Sequence, residues 1–255
     1  MRYLISFLFG LAFGSFANVC ILRLPKCESL GFPRSRCPQC SHPLRWIDNI
    51  PLLSFLFLRG RCHFCHQPIL WQYPLVETTM AFLFMFNALW FGSPGRVLIS
   101  DLLSFYLLTL SIIDYRHRII PDELSLSLVI WGLVFSYKNP FLPGGWPGVI
   151  ESLLAGTTGF LGMLLLAWLG EKLFKKEALG GGDIKLMAAF GALLGWSGLF
   201  GSLFFGSLLG GLLGGGLMLF GRKKRGDVLP FGPFLSFGAY LACLFPNEWI
   251  RVISP

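Results

Sequence analysis

Charge is what this sequence has least of. Of its 255 residues only 13% are charged, while 54% are hydrophobic. Soluble domains carry about 25% charged residues, so the shortage excludes a water-soluble globule, and the mean hydropathy of +0.65 agrees. Also missing is a glycine-rich strand–turn–helix unit, which excludes a Rossmann-type nucleotide site. The apolar spans show no repeated halves. The apolar stretch that runs into GSFANVCILRLP (14–25) is too long for a signal peptide, so it is expected to be retained as a membrane span.

What the chain has in quantity is apolar runs near the ~20 residues that cross a bilayer. Eight candidate spans are expected, at about 3–22, 74–92, 97–115, 122–137, 149–170, 184–199, 201–220 and 231–249. The sixth and seventh nearly touch at Gly198–Gly201. The expected fold is an all-α polytopic membrane protein in three parts. A first transmembrane helix (1–22) is followed by a small zinc-binding loop domain (23–73) and a seven-helix membrane domain (74–255).

Basic residues set the expected orientation, since lysine and arginine collect in cytoplasmic loops. Alternate loops hold Arg23, Lys26, Arg34, Arg36, Arg45, Arg59 and Arg61; Arg116 and Arg118; Lys172, Lys175, Lys176 and Lys185; and Arg222, Lys223, Lys224 and Arg225. These are 17 of the 21 basic residues. Arg2, Arg96, Lys138 and Arg251 fall on the other side. Eight spans with both termini outside the cytoplasm are implied. The net charge of +8 is accounted for by topology and contact with anionic lipid, with no nucleic acid needed. The basic turn RKKR (222–225) has the same explanation.

Residues 23–73 form the one long polar loop. Four of the seven cysteines lie there as two Cys-x-x-Cys pairs, Cys37 with Cys40 and Cys62 with Cys65, 21 residues apart. Two such pairs supply four thiolates to one tetrahedral zinc ion, and a metal gives a short loop the folding free energy that it cannot draw from a core. Disulfides are the alternative, disfavoured in a cytosolic loop. Four protein sulfurs leave no open coordination position, so the zinc is structural rather than catalytic. His42, His63 and His66 stand beside the cysteines and could replace one of them; they are expected to face solvent.

Ionisable residues in or beside spans are costly and suggest function. The charge count puts Asp101 and Glu151 near the outer surface, and Glu77, Asp114, Asp122 and Asp183 at the cytoplasmic one. Asp122 and Glu123 follow Pro121 and suit ordinary helix-start chemistry. Asp114 closes a span, where an acid opposes the helix dipole. Asp183 follows Gly180, Gly181 and Gly182, whose missing side chains let another backbone approach; a glycine hinge before a first-turn acid is the plainer reading. Two carboxylates held together share a proton. One can then act as base on a water while the other donates to a substrate carbonyl. Lys185 either supports Asp183 or snorkels to the surface. The overlapping G-x-x-x-G pairs of 206–216 permit close helix contact, within the protein or with a substrate helix.

GSFANVCILRLP (14–25), the two cysteine pairs, YPLVE (73–77), D-x6-PD (114–122), GGGDIKL (180–186) and LPFGPFL (229–235) stand in the order seen in prepilin peptidases, and the sequence resembles that family along nearly its whole length. These are the type IV leader peptidases, bifunctional aspartic proteases of the GxGD class. The resemblance implies cleavage of a short basic leader from type IV prepilins or pseudopilins at the cytoplasmic face of the bacterial inner membrane. It also implies methylation of the new amino terminus by S-adenosylmethionine. Carried over by motif, Asp114 and Asp183 are the catalytic pair, Gly180 and Gly182 the glycines of GxGD, and Cys37, Cys40, Cys62 and Cys65 the zinc ligands. Asp122 and Lys185 are expected to support the site. Two other readings stay open. A proton-coupled transporter would place its acids near the membrane midplane in repeated halves, and a zinc-bearing scaffold without chemistry would tolerate loss of either aspartate.

Overall fold

The computed structural model describes residues 1–175, 179–219 and 230–246. Among them it is helical, with two isolated bridges, Arg36–Pro43 and Arg61–Pro68, as the extended pairings. The basic turn 222–225, Lys176, Arg251 and the end of the eighth expected span lie outside the described residues. The chain divides into two compact units, Met1–Phe105 and Tyr106–Pro255.

In the first unit, α1 (Arg2–Arg23) packs on α3 (Gln72–Trp90). Rings interlock between them, Phe7 on Phe82 and Phe13 on Phe84. Buried polar groups in this apolar setting must be paired. The Asn18 amide accordingly donates to the carbonyl oxygens of Gly14 and Tyr73. Asn87 donates to Asp101 at 2.8 Å and to Ser104 at 3.0 Å. Between α1 and α3 runs the cysteine loop, which contains the short α2 (Leu53–Phe57). Arg23, the last residue of α1, gathers the start of the loop through the carbonyls of Ser29, Leu30 and Pro33. Glu77 anchors its middle by accepting the Leu52 N–H at 2.8 Å. The unit ends within α4 (Pro94–His117), which continues into the second unit.

The second unit is built around α7 (Gly181–Leu219), with α5 (Asp122–Phe135), α6 (Trp146–Phe174) and α8 (Gly232–Leu244) packed against it. Leu186, Met187, Phe190, Leu193 and Leu194 of α7 are fully buried. The outer surface of α6 is apolar, with Leu154, Leu161, Leu165 and Trp168 each about half exposed. A water-facing helix would not expose such residues in a row.

Helix α7 is not straight. Gly195 sits at φ 66°, ψ −153°, a conformation open essentially to glycine alone. The Ser202 hydroxyl lies 3.5 Å from the Met187 sulfur, although 15 residues of straight helix would hold them about 22 Å apart. The chain therefore doubles back at Gly195, and 181–194 and 196–219 lie side by side. The expected sixth and seventh spans meet at Gly195, earlier than Gly198–Gly201. Their division needs no polar loop, only one glycine with positive φ.

Among the described residues, four helical segments are long and apolar enough to cross a membrane: Arg2–Lys26, Pro94–His117, Trp146–Leu173 and Gly181–Met218, the last being the segment divided at Gly195. Three of the eight expected spans fall instead on α3, which is long enough but less apolar, and on the shorter α5 and α8. α5 has 14 residues and α8 has 13, about 20 Å of helix each against a hydrocarbon core of about 30 Å.

Candidate active site and metal centre

Asp114 lies in the last turn of α4 and is 7% exposed. Arg118, in the left-handed conformation at φ 56°, caps that turn by donating its N–H to the Asp114 carbonyl at 2.8 Å. An acid at this end of a helix faces the dipole's negative pole. The fold offsets the cost from elsewhere: the Gly232 N–H, at the start of α8, donates to Asp114 Oδ2 at 2.9 Å. The N–H groups of a first turn have no partner inside their own helix and carry the positive end of its dipole, so α8 stabilises the charge that α4 disfavours. A Cβ on residue 232 would stand 2.6 Å from the same oxygen and would push the carboxylate aside.

Asp183 lies in the first turn of α7, half-buried, where the dipole favours an acid. Its N–H donates to the Gly180 carbonyl at 3.1 Å, and the Gly180 N–H faces its carboxylate. Asp114 is near enough for its charge to act on Asp183. The second unit therefore brings together the two acids singled out from sequence, one from a helix end and one from a helix start.

The three glycines before Asp183 differ in purpose. A Cβ on Gly182 would stand 2.6 Å from the Ile120 Cβ, so this glycine lets the α4–α5 connection pack onto α7. At Gly181 nothing lies within 4 Å, and at Gly180 the nearest atom is Asp183 Oδ2 at 3.5 Å. These two leave open space beside the carboxylate. Lys185 Nζ pairs with Asp122 Oδ1 at 2.6 Å, tying α7 to the first turn of α5. Both partners are partly exposed, so the pair contributes little stability. A cavity of about 420 Å³ between α5, α6 and α7 reaches Lys185. Its wall is apolar, neither aspartate lines it, and it offers no catalytic group.

In the first unit the Sγ atoms of Cys37, Cys40, Cys62 and Cys65 lie within 4.8 Å of one another, with Cys37 and Cys65 at 3.9 Å. Four sulfurs around one zinc at 2.3 Å would stand about 3.8 Å apart, so the cluster fits a tetrahedral zinc. The two knuckles share one geometry. Cys37 N–H donates to the His42 carbonyl, and Cys62 N–H to that of Gln67; Ser41 N–H returns to Cys37, and His66 N–H to Cys62. Ser41 and His66 both adopt positive φ. The matching pattern Arg-Cys-x-x-Cys-x-x-Pro at 36–43 and 61–68 is the signal for this local duplication. Burial opposes ionisation of Cys37, but N–H donors from Cys40 and Gln39 and the neighbouring thiols bring it down to about 7. The Gln67 N–H favours ionisation of Cys65, yet burial and the other three thiols push it up to about 11. Crowded thiols cannot all ionise unless a cation joins them. His42 lies against Phe64 with ring centres 3.6 Å apart and planes tilted by 39°; it, His63 and His66 are exposed and stand outside the sulfur cluster.

Two residues that sequence reasoning left without a role belong here. Gly232 lies within the quoted LPFGPFL stretch, where Gly-Pro at a helix start was the available signal. Glu77, read as an acid at the membrane edge, holds the metal loop through Leu52.

Residues 8–91 match the Bacterial Peptidase A24 N-terminal domain, and residues 102–215 match the Type IV leader peptidase family. Among curated relatives, a prepilin leader peptidase/N-methyltransferase of Klebsiella pneumoniae is 43% identical over 76% of this chain and 86% of its own length. The protein of the same name from Aeromonas hydrophila is 37% identical over 98% of this chain and 93% of its own. Another from Xanthomonas campestris is 34% identical over 94% and 90%. No solved structure matches the chain.

Proposed function

From the premise that the chain belongs to the type IV leader peptidase family, we propose that it cleaves the leader from type IV prepilins or pseudopilins and N-methylates the residue so exposed. Asp114 and Asp183 are the catalytic pair. The observation that carries this is their approach from opposite helix ends, with the charge of one acting on the other.

An extended substrate backbone lies in the open space at Gly180 and Gly181. One carboxylate removes a proton from water, whose oxygen adds to the scissile carbonyl carbon, while the other carboxyl gives its proton to the carbonyl oxygen. When the tetrahedral intermediate collapses, the carbon–nitrogen bond breaks and the departing amine takes up the proton first removed from water. Gly232 keeps Asp114 in place throughout. Lys185 and Asp122 hold α5 to α7 beside the site.

Cys37, Cys40, Cys62 and Cys65 hold a structural zinc that stabilises the loop of the first unit. S-adenosylmethionine supplies the methyl group for the second reaction, and the cysteine loop serves that half of the chemistry. The protein is a multi-pass inner-membrane enzyme of eight spans in contact with lipid. Its zinc loop and aspartates are cytoplasmic and its termini periplasmic, in line with the 17-to-4 division of basic residues. The purified protein, incubated with a prepilin with and without S-adenosylmethionine and read by mass spectrometry, tests the whole reading. Leader loss in both samples and a one-methyl gain only with the donor are expected; an intact prepilin would refute it.

A further inference from the structure

The reversal of α7 at Gly195 breaks helical hydrogen bonding inside an apolar structure. In a continuous helix the Trp196 N–H and the Ala192 carbonyl would pair with each other. Here both turn to α6: Trp196 N–H donates to Glu151 Oε1 at 3.2 Å, and the Ser152 hydroxyl donates to the Ala192 carbonyl at 2.6 Å. The next carbonyl, Leu193, accepts from the Asn139 amide at 2.7 Å. Ser152 is fully buried and Asn139 is 2% exposed. Backbone groups freed from helical pairing need such partners, and three side chains from outside α7 supply them. A Cβ at residue 195 would also run into Glu151 and Leu142. The break is therefore held from several directions at once.

What the break connects matters more than its stability. The segment 181–194 carries Asp183 in its first turn. The segment 196–219 carries α8, with Gly238 against the backbone of Ser202 and Gly206, and Gly206 against Leu235. The first N–H of α8, on Gly232, holds Asp114. The angle at Gly195 thus enters directly into the separation of the two acids. Asp183 lies 12 residues, about 18 Å of helix, from the break, so a swing of about 3° moves it by about 1 Å. A displacement of that size can cost about 100-fold in rate.

We propose that Glu151, Ser152 and Asn139 are positioning residues for the peptidase reaction, fixing the turn at Gly195 so that Asp183 meets Asp114 at working distance. The proposal rests on the assignment of those two acids as the catalytic pair. They touch no substrate; they act through the backbone of α7.

The test uses the full-length enzyme in detergent, with prepilin cleavage followed as kcat and KM per folded molecule, and size exclusion and thermal unfolding reporting the folded fraction. Glu151→Ala and Ser152→Ala are each expected to lower kcat about tenfold or more, with KM within about twofold of the parent. Glu151→Gln, whose amide oxygen still accepts the Trp196 N–H, is expected to recover kcat to within about threefold. A merely structural role would reduce the folded fraction and leave kcat per folded molecule intact, and that result overturns the proposal. So does Glu151→Gln falling as far as Glu151→Ala. If Glu151→Ala does not fold, Ser152→Ala decides by the same criterion. Should Asp114→Asn or Asp183→Asn cleave normally, the catalytic assignment itself fails, which is distinguishable because the parent enzyme and the Glu151 variants would still be active.

Discussion

The Gly232 N–H donates to the carboxylate of Asp114 across 118 residues of sequence, at 2.9 Å. One helix start thereby answers the charge at another helix's end. Gly232→Ala would drive a methyl group to 2.6 Å from that carboxylate. Prepilin cleavage is expected to fall about 100-fold, while zinc content, measured by metal analysis of the purified protein, stays at one equivalent.

Asp114→Asn and Asp183→Asn each remove one half of the proton exchange. Loss of cleavage by about 1,000-fold or more is expected from either change, with methylation of an already cut peptide retained. Mass spectrometry of both products separates the activities. Retained cleavage in either variant would contradict the assignment.

The three glycines before Asp183 predict an asymmetry. Gly182→Ala forces a clash with Ile120 and is expected to lower the unfolding temperature by several degrees, as overpacking at about 1–3 kcal/mol would. Gly181→Ala meets nothing within 4 Å and should unfold like the parent. If an extended substrate lies against it, its KM for prepilin rises while kcat holds.

The ion pair of Lys185 with Asp122 is partly solvated on both sides, so Lys185→Met should cost at most about 1 kcal/mol of stability. Combined with Asp122→Asn it should cost no more than either change alone, which thermal unfolding of the two single variants and the double variant will show.

Zinc binding needs thiolates, so protons compete with it. With Cys65 near 11 and Cys37 at about 7 before metal binds, affinity is expected to fall as pH drops from about 11, and to fall more steeply below neutrality. Chelator, acid or Cys37→Ser should expose the segment between Arg23 and Tyr73 to protease. Methylation should suffer at least as much as cleavage, and survival of methylation with loss of cleavage would reverse the division of labour proposed for the loop.

Much of this molecule is legible one segment at a time. Low charge excluded a soluble fold, and paired Cys-x-x-Cys spacing predicted a four-sulfur cluster because a knuckle is a local turn. Asp183 after glycines and Asp114 at a span's end stood out because each has a local electrostatic setting. The span count was less accessible. Hydropathy registers apolar length, whereas a single glycine at positive φ divides α7 without leaving a polar loop.

Only tertiary structure decided what answers Asp114, which glycine of the three is required, and where α7 turns. Each depends on atoms far apart in the chain: Gly232 for the first, Ile120 for the second, and Asn139, Glu151 and Ser152 for the third. A hydrogen bond or a steric limit set by a distant backbone leaves no periodic or compositional trace, because its partner is chosen by packing and not by neighbouring sequence.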